Sequence, residues 1–321
     1  MNGTPRATGI EAALELDQAG RFAEAMEALK GASLKGDLRA MTELGHRLLV
    51  GDRAPKSAKH ALYLLHEAAK KGEARALARV AALTAGGAYL KQDWRQALAL
   101  LGQAAAAGDA SAQGQLTCLQ PAGAPPASWQ DMAKRVPLNA WVAAAEQEQL
   151  HENVRRVREL APLPVCSWLI ERARGRLQPA LVYDAVSREN QLHEMRTNTM
   201  ALFDYSTFDV VQFLLQARMS LTCGYPMQHF ETPMVLHYEV GQQITPHFDF
   251  IDANAADYAG GETTFPELGI VHRGTAGAGL FFINAHADLT PNRRMIHTGS
   301  PPTRGEKWVV SQFIVSKRLR P

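Results

Sequence analysis

The sequence predicts an α+β protein in which an α-helical repeat domain is followed by an antiparallel β domain, and three observations carry that prediction. Residues 20–120 are rich in alanine and leucine, show a helical period and match themselves at a fixed shift. Closely spaced prolines and a glycine in Gln120-Pro-Ala-Gly-Ala-Pro-Pro126 then stop the helical pattern. After Thr232-Pro233 the chain changes to short apolar runs separated by Gly, Pro, Asn and Asp, as an antiparallel sandwich or barrel requires. At 321 residues and 46% apolar composition the chain is large enough for two units with sizeable cores.

The repeat is the clearest feature. A shift of 36 residues aligns Gly36, Gly72 and Gly108, and also Ala40, Ala76 and Ala112. In the preceding helix it aligns Ala25, Ala61 and Ala97, Leu29, Leu65 and Leu101, and Ala32, Ala68 and Ala104. Small residues in register at a constant period indicate a helix-turn-helix unit stacked on copies of itself, because small side chains let neighbouring helices approach. The pattern resembles the Sel-one-like relatives of tetratricopeptide repeats, an α-solenoid. An array of about three units either presents a surface to a peptide or protein or serves as a packing or dimerisation module. The expected organisation is an N-terminal tail at 1–19, the repeats at 20–120, a linker and bridging helix at 121–161, and a second domain at 162–321.

Within the linker, Trp141, Val142, Ala145, Leu150, Val154, Val157 and Leu160 follow a helical spacing, so one amphipathic helix is expected over 139–160, with His151 and Glu152 on its solvated face. Pro162-Leu-Pro opens a further helix running to Arg174. Leu181-Val-Tyr-Asp184 reads as a strand. Ser206 and Asp209, at capping-box spacing, are expected to open an amphipathic helix through Leu215 and Met219. Gly274-Thr-Ala-Gly-Ala-Gly279 precedes a strand rather than opening a helix, so it is a turn and not a dinucleotide loop.

The chemistry centres on Val235–Phe250. His247 and Asp249 are two residues apart, so in an extended strand their side chains share a face. A mononuclear non-haem iron takes two imidazoles and one carboxylate on one face, leaving its other positions open. His297, in the short apolar segment Met295-Ile-His-Thr-Gly299, is the candidate third ligand. Beyond it, Lys307 opens the apolar run to Val315, a strand expected to fold back alongside the His297 segment and set a cation beside the metal. His237 has the opposite strand parity and reads as structural. His229, His272 and His286 are spare histidines, the last in a loop with Arg293 and Arg294.

Tyr238, His247, Asp249, Gly260-Gly-Glu-Thr-Thr-Phe-Pro266, Gly279-Leu-Phe-Phe-Ile-Asn284, His297 and Arg304-Gly-Glu-Lys-Trp308 together resemble the prolyl 4-hydroxylase branch of the iron(II)/2-oxoglutarate dioxygenases. The resemblance covers roughly residues 162 to 317. It implies a double-stranded β-helix, or jelly roll, whose interior holds Fe(II) through His247, Asp249 and His297. It also implies 2-oxoglutarate as cosubstrate, with O2 at the remaining position and ascorbate as a rescuing reductant. Burying the far carboxylate of the cosubstrate unpaired would be costly, so Lys307 supplies its ammonium. Tyr238 is expected to donate a further hydrogen bond. Thr263 either hydrogen-bonds 2-oxoglutarate or is an ordinary strand threonine. Arg196-Thr-Asn-Thr199 resembles an R-x-S segment of the family, with Asn198 departing from the serine.

A net charge of +2 gives no electrostatic case for nucleic acid or an anionic membrane as partner. Cys118, Cys166 and Cys223 are too few and too widely spaced for a disulfide framework, the first residues lack the apolar core of a signal peptide, and no apolar run approaches the ~20 residues of a bilayer span. A reducing, cytoplasmic setting is expected, with Cys118 as plain core. The leading function is hydroxylation of a prolyl-type residue in a peptide or protein, releasing succinate and carbon dioxide. The alternatives are hydroxylation of a free proline-, pipecolate- or lysine-like amino acid, or a non-catalytic repeat scaffold.

Overall fold

The computed structural model describes residues 9–184, 189–194, 196–204, 206–247 and 258–316. The chain divides into two compact units, residues 1–138 with 205–213, and residues 139–204 with 214–321.

The first unit is the helical array, with antiparallel neighbours Phe22–Leu34 and Leu38–Val50, Ala58–Lys70 and Ala74–Gly86, and Trp94–Ala106 and Ala110–Cys118, preceded by Ile10–Gln18. Its period is set by one turn used three times. Gly36, Gly72 and Gly108 have φ of 85°, 83° and 95°, a left-handed conformation that suits glycine. The next residue, Asp37, Glu73 or Asp109, caps the following helix by accepting the backbone N–H of Ala40, Ala76 or Ala112. The repeated alanines and leucines are buried between helices. A further helix, Trp129–Arg135, packs on Trp94–Ala106, where a side chain at Gly102 would meet Ala133. Cys118 is buried core, and burial pushes its thiol well above the usual thiol range.

The second unit departs from expectation at its start. Instead of a bridging helix over 139–160, helix ends at Trp141 and Gln147–His151 forms an antiparallel hairpin with Val154–Val157. The reason is non-local. Val154–Val157 is also hydrogen-bonded to Gly279–Phe282, and Val154 and Val157 are buried there. Glu148, paired with Arg156 and Arg158, completes the hairpin, and His151 and Glu152 border its turn rather than lying on a helix face. The helix Leu163–Arg174 follows as expected. The helix Val210–Cys223, whose first residues belong to the first unit, is capped three residues later than the sequence suggested, by Asp209 and Gln212, each side chain accepting the other's backbone N–H.

Two four-stranded antiparallel sheets build the β domain and give it the expected jelly-roll architecture. One has the order Ile270–His272, Thr263–Phe265, His297–Gly299, Ile244–His247. The other has the order Lys307–Ser311, Met234–Tyr238, Thr199–Leu202, Gln178–Pro179. Leu236, Tyr238 and Val309 of the second sheet share a core with Ile244 of the first, so the sheets meet face to face. The Lys307 strand therefore does not lie alongside the His297 strand. It pairs with Met234–Tyr238, because its run of alternately facing apolar residues is completed by that strand and the core beneath it. Among the described residues no helix is long and apolar enough to cross a membrane.

Candidate active site

Strand register brings the site together. His297 is the register partner of His247, so the two histidines, fifty residues apart (297 − 247), sit side by side at the backbone. Thr263 is opposite Gly299 on the other side of the same strand, which sets Phe265 opposite His297. The His297 ring is 0% exposed and packs against Phe265 and Phe282, with ring centroids 5.0 and 4.7 Å away. Its Nδ1 lies 2.9 Å from the Met295 carbonyl oxygen, to which it donates. That bond selects the tautomer with its lone pair on Nε2, the arrangement of a metal-ligating histidine oriented by a backbone carbonyl.

Asp249, the carboxylate of the expected set, lies outside the described residues. Among the described residues no three histidine, cysteine or carboxylate side chains gather as a metal-binding set. What is described fits Fe(II): a buried imidazole in the ligating tautomer, register-paired with the histidine that begins the His-x-Asp segment.

The cation comes from the opposing sheet. Lys307 is 2% exposed, its Nζ donates to the Gly261 carbonyl at 2.8 Å, and it lies 5.7 Å from the centroid of the Tyr238 ring. Tyr238, itself 2% exposed, is its register partner. Gly261 leaves room for this approach, and Gly260 for the pairing of its own strand with Pro302–Arg304. Gly260 and Gly261 have φ of 74° and 72°. A Cβ on the first would sit 2.7 Å from the Pro301 carbonyl oxygen, and one on the second 3.2 Å from Lys307 Cδ. The sequence pointed to Thr263 in this motif but not to the Gly261 carbonyl, which only the fold brings to the lysine.

Thr263 is 0% exposed and its hydroxyl has no hydrogen-bond partner among the described residues. Its register places that hydroxyl on the strand face that carries His297, where a buried polar group calls for a partner. Arg196 bridges to Ile244, three residues before His247, so its segment borders the ligand strand. Asn198 is buried, accepts from Arg196 Nε at 3.3 Å and donates to the Thr199 carbonyl, a role in fixing that border. His237 faces away from Tyr238 and Lys307 and stacks on Trp308, as its parity predicted. His229 is held by the Val315 carbonyl, His272 is buried opposite Thr263, and His286, Arg293 and Arg294 are exposed.

No family model matches the chain. The sequence relatives include prolyl 4-hydroxylases. A probable prolyl 4-hydroxylase 7 of Arabidopsis thaliana is 27% identical over 184 residues, covering 46% of this chain and 58% of that protein. A probable prolyl 4-hydroxylase 6 of the same plant is 28% identical over 185 residues, covering 46% and 64%. The chain thus spans less than two thirds of the length of these relatives. Among solved structures, a viral collagen prolyl hydroxylase of Paramecium Bursaria Chlorella virus-1 in a 2OG complex aligns with TM-score 0.41 at 19% identity, over 51% of this chain and 96% of that one. A Sel1 repeat protein from Oxalobacter formigenes aligns with TM-score 0.32 at 23% identity, over 41% and 59%.

Proposed function

We propose that the chain is an iron(II)- and 2-oxoglutarate-dependent dioxygenase that hydroxylates a prolyl-type residue of a peptide or protein. The observation that carries this reading is the buried Lys307 ammonium, held by the Gly261 carbonyl two residues before Thr263, whose hydroxyl on the His297 face has no hydrogen-bond partner among the described residues. His247, Asp249 and His297 would hold the metal. When bound, iron with 2-oxoglutarate and O2 supplies the oxidation of an unactivated C–H bond, and the cosubstrate leaves as succinate and carbon dioxide.

The chain's own residues prepare that event. Lys307 pairs with the far carboxylate of 2-oxoglutarate, and a charge-assisted bond in a water-poor interior is strong as well as directional. Thr263 donates a second bond, and Tyr238 bounds the same pocket. Met295 keeps the His297 lone pair on Nε2, while Phe265 and Phe282 hold the ring and exclude water. The helical array is read as a surface for a protein substrate or for a second copy, ascorbate as a rescuing reductant, and a reducing compartment as the setting.

The test is succinate release from 2-oxoglutarate under air with added iron(II), against proline-containing peptides and free amino acids. Wild type is expected to respond to a peptide, and His297→Ala and Asp249→Ala to lose turnover while keeping the helical circular-dichroism signal. Unchanged turnover in either variant would remove that residue from the ligand set. A response to a free amino acid alone would replace the peptide reading.

A further inference from the structure

We infer that Glu306 is a positioning residue for Lys307, an inference that rests on the reading of Lys307 as the partner of the 2-oxoglutarate carboxylate. Side chains alternate along a strand, so Lys307 faces the interior while Trp308 faces the other side, and Tyr238 and His237 divide in the same way. Behind the buried cation, one hydrogen bond and two longer charge contacts, from three segments, gather at one oxygen, Glu306 Oε2. Trp308 Nε1 donates to it at 3.1 Å, His237 Nε2 lies 3.4 Å away, and Arg174 Nη2 lies 3.6 Å away.

The cluster is also stacked. His237 lies against the Trp308 ring with centroids 4.1 Å apart, and the Arg174 guanidinium sits over the same indole at 5.0 Å. His237 Nδ1 meets Thr199 Oγ1 at 3.2 Å. Glu306 therefore ties the end of the helix Leu163–Arg174 and the strands at Thr199, His237 and Trp308 into one assembly.

That assembly grips the residues on either side of Lys307, and the neighbour of Tyr238, from the outer face. A lysine stem has four rotatable bonds, so an ammonium reaching a fixed carboxylate depends on a fixed backbone at its root. The Glu306 side chain is 42% exposed, so each of its ion pairs alone is weak, and its effect is one of geometry. Burial holds the His237 imidazole below its ordinary pKa, with Glu306 and Glu239 opposing and Arg174 reinforcing that direction, so near neutral pH the cluster is held chiefly by stacking on Trp308 and by the Trp308–Glu306 and His237–Thr199 hydrogen bonds.

The experiment measures 2-oxoglutarate binding by calorimetry on the full chain with Mn(II) in place of iron, so that no turnover intervenes, alongside Mn(II) affinity and thermal melting. Glu306→Ala is expected to weaken 2-oxoglutarate binding about threefold to tenfold with Mn(II) affinity unchanged. Glu306→Gln, which keeps an acceptor for Trp308 Nε1, is expected to recover part of that loss. Lys307→Ala is measured in parallel. If it weakens 2-oxoglutarate binding and Glu306→Ala only lowers the melting temperature, the positioning role is overturned and the reading of Lys307 stands. If Lys307→Ala itself leaves binding unchanged, the reading of Lys307 falls and this inference with it.

Discussion

Lys307 and Tyr238 stand opposite one another as register partners across two antiparallel strands, with the lysine ammonium 5.7 Å from the centre of the tyrosine ring. The aromatic face and the Gly261 carbonyl together partner a charge that burial would otherwise penalise. Lys307→Ala is expected to raise the 2-oxoglutarate concentration for half-maximal succinate release roughly 30-fold or more, the worth of one charged hydrogen bond. The iron requirement should change little, and titrating each separately distinguishes the two.

Thr263 allows stability and binding to be separated. Its hydroxyl is buried without a partner among the described residues, so Thr263→Val removes an unsatisfied group of nearly the same shape. The melting temperature should hold or rise, while 2-oxoglutarate binding weakens about fivefold, in line with the loss of one neutral hydrogen bond. A stability loss with unchanged binding would make Thr263 an ordinary strand residue.

Gly261 and Gly269 form a matched pair. Both have positive φ, 72° and 65°, but a Cβ at Gly261 would lie 2.7 Å from the Tyr258 ring and 3.2 Å from Lys307 Cδ, whereas one at Gly269 meets nothing within 4 Å. Gly269→Ala should therefore lower stability by only about 1 kcal/mol, from backbone strain. Gly261→Ala should lower it further and weaken 2-oxoglutarate binding, because the lysine stem has to move. Denaturant unfolding and calorimetry of the two variants check this.

The helical array carries a pH dependence of its own through His46. Burial, reinforced by Arg79 and Arg75 and opposed by Glu43 and Asp52, lowers its pKa from 6.5 to about 4, and its Nδ1 is buried without a hydrogen-bond partner among the described residues. As pH falls from 6.5 towards 4, the unfolded chain binds a proton that the folded array refuses. Stability is therefore retained above this window and lost through it, by up to about 3 kcal/mol. Melting temperatures at pH 7 and pH 4.5 should differ less in His46→Gln than in wild type.

What the sequence determined by itself is what short-range patterns encode. The 36-residue period was visible because each repeat uses the same glycine turn and the same buried alanines, and the caps Asp37, Glu73 and Asp109 follow those glycines by one residue. The residue types His247, Asp249, His297 and Lys307 were legible in order along the chain. Tertiary structure decided which strand meets which. Helical spacing over 139–160 yielded to a hairpin because Gly279–Phe282, more than a hundred residues away, supplies the hydrogen bonds that Val154–Val157 completes. The Lys307 strand joined Met234–Tyr238 rather than its nearer neighbour, since the hydrophobic core beneath that pair outweighs proximity in sequence. The Gly261 carbonyl and the Glu306 cluster exist only once that register is set. Local propensity is written in consecutive residues, whereas strand partnership is a choice among distant surfaces that burial makes.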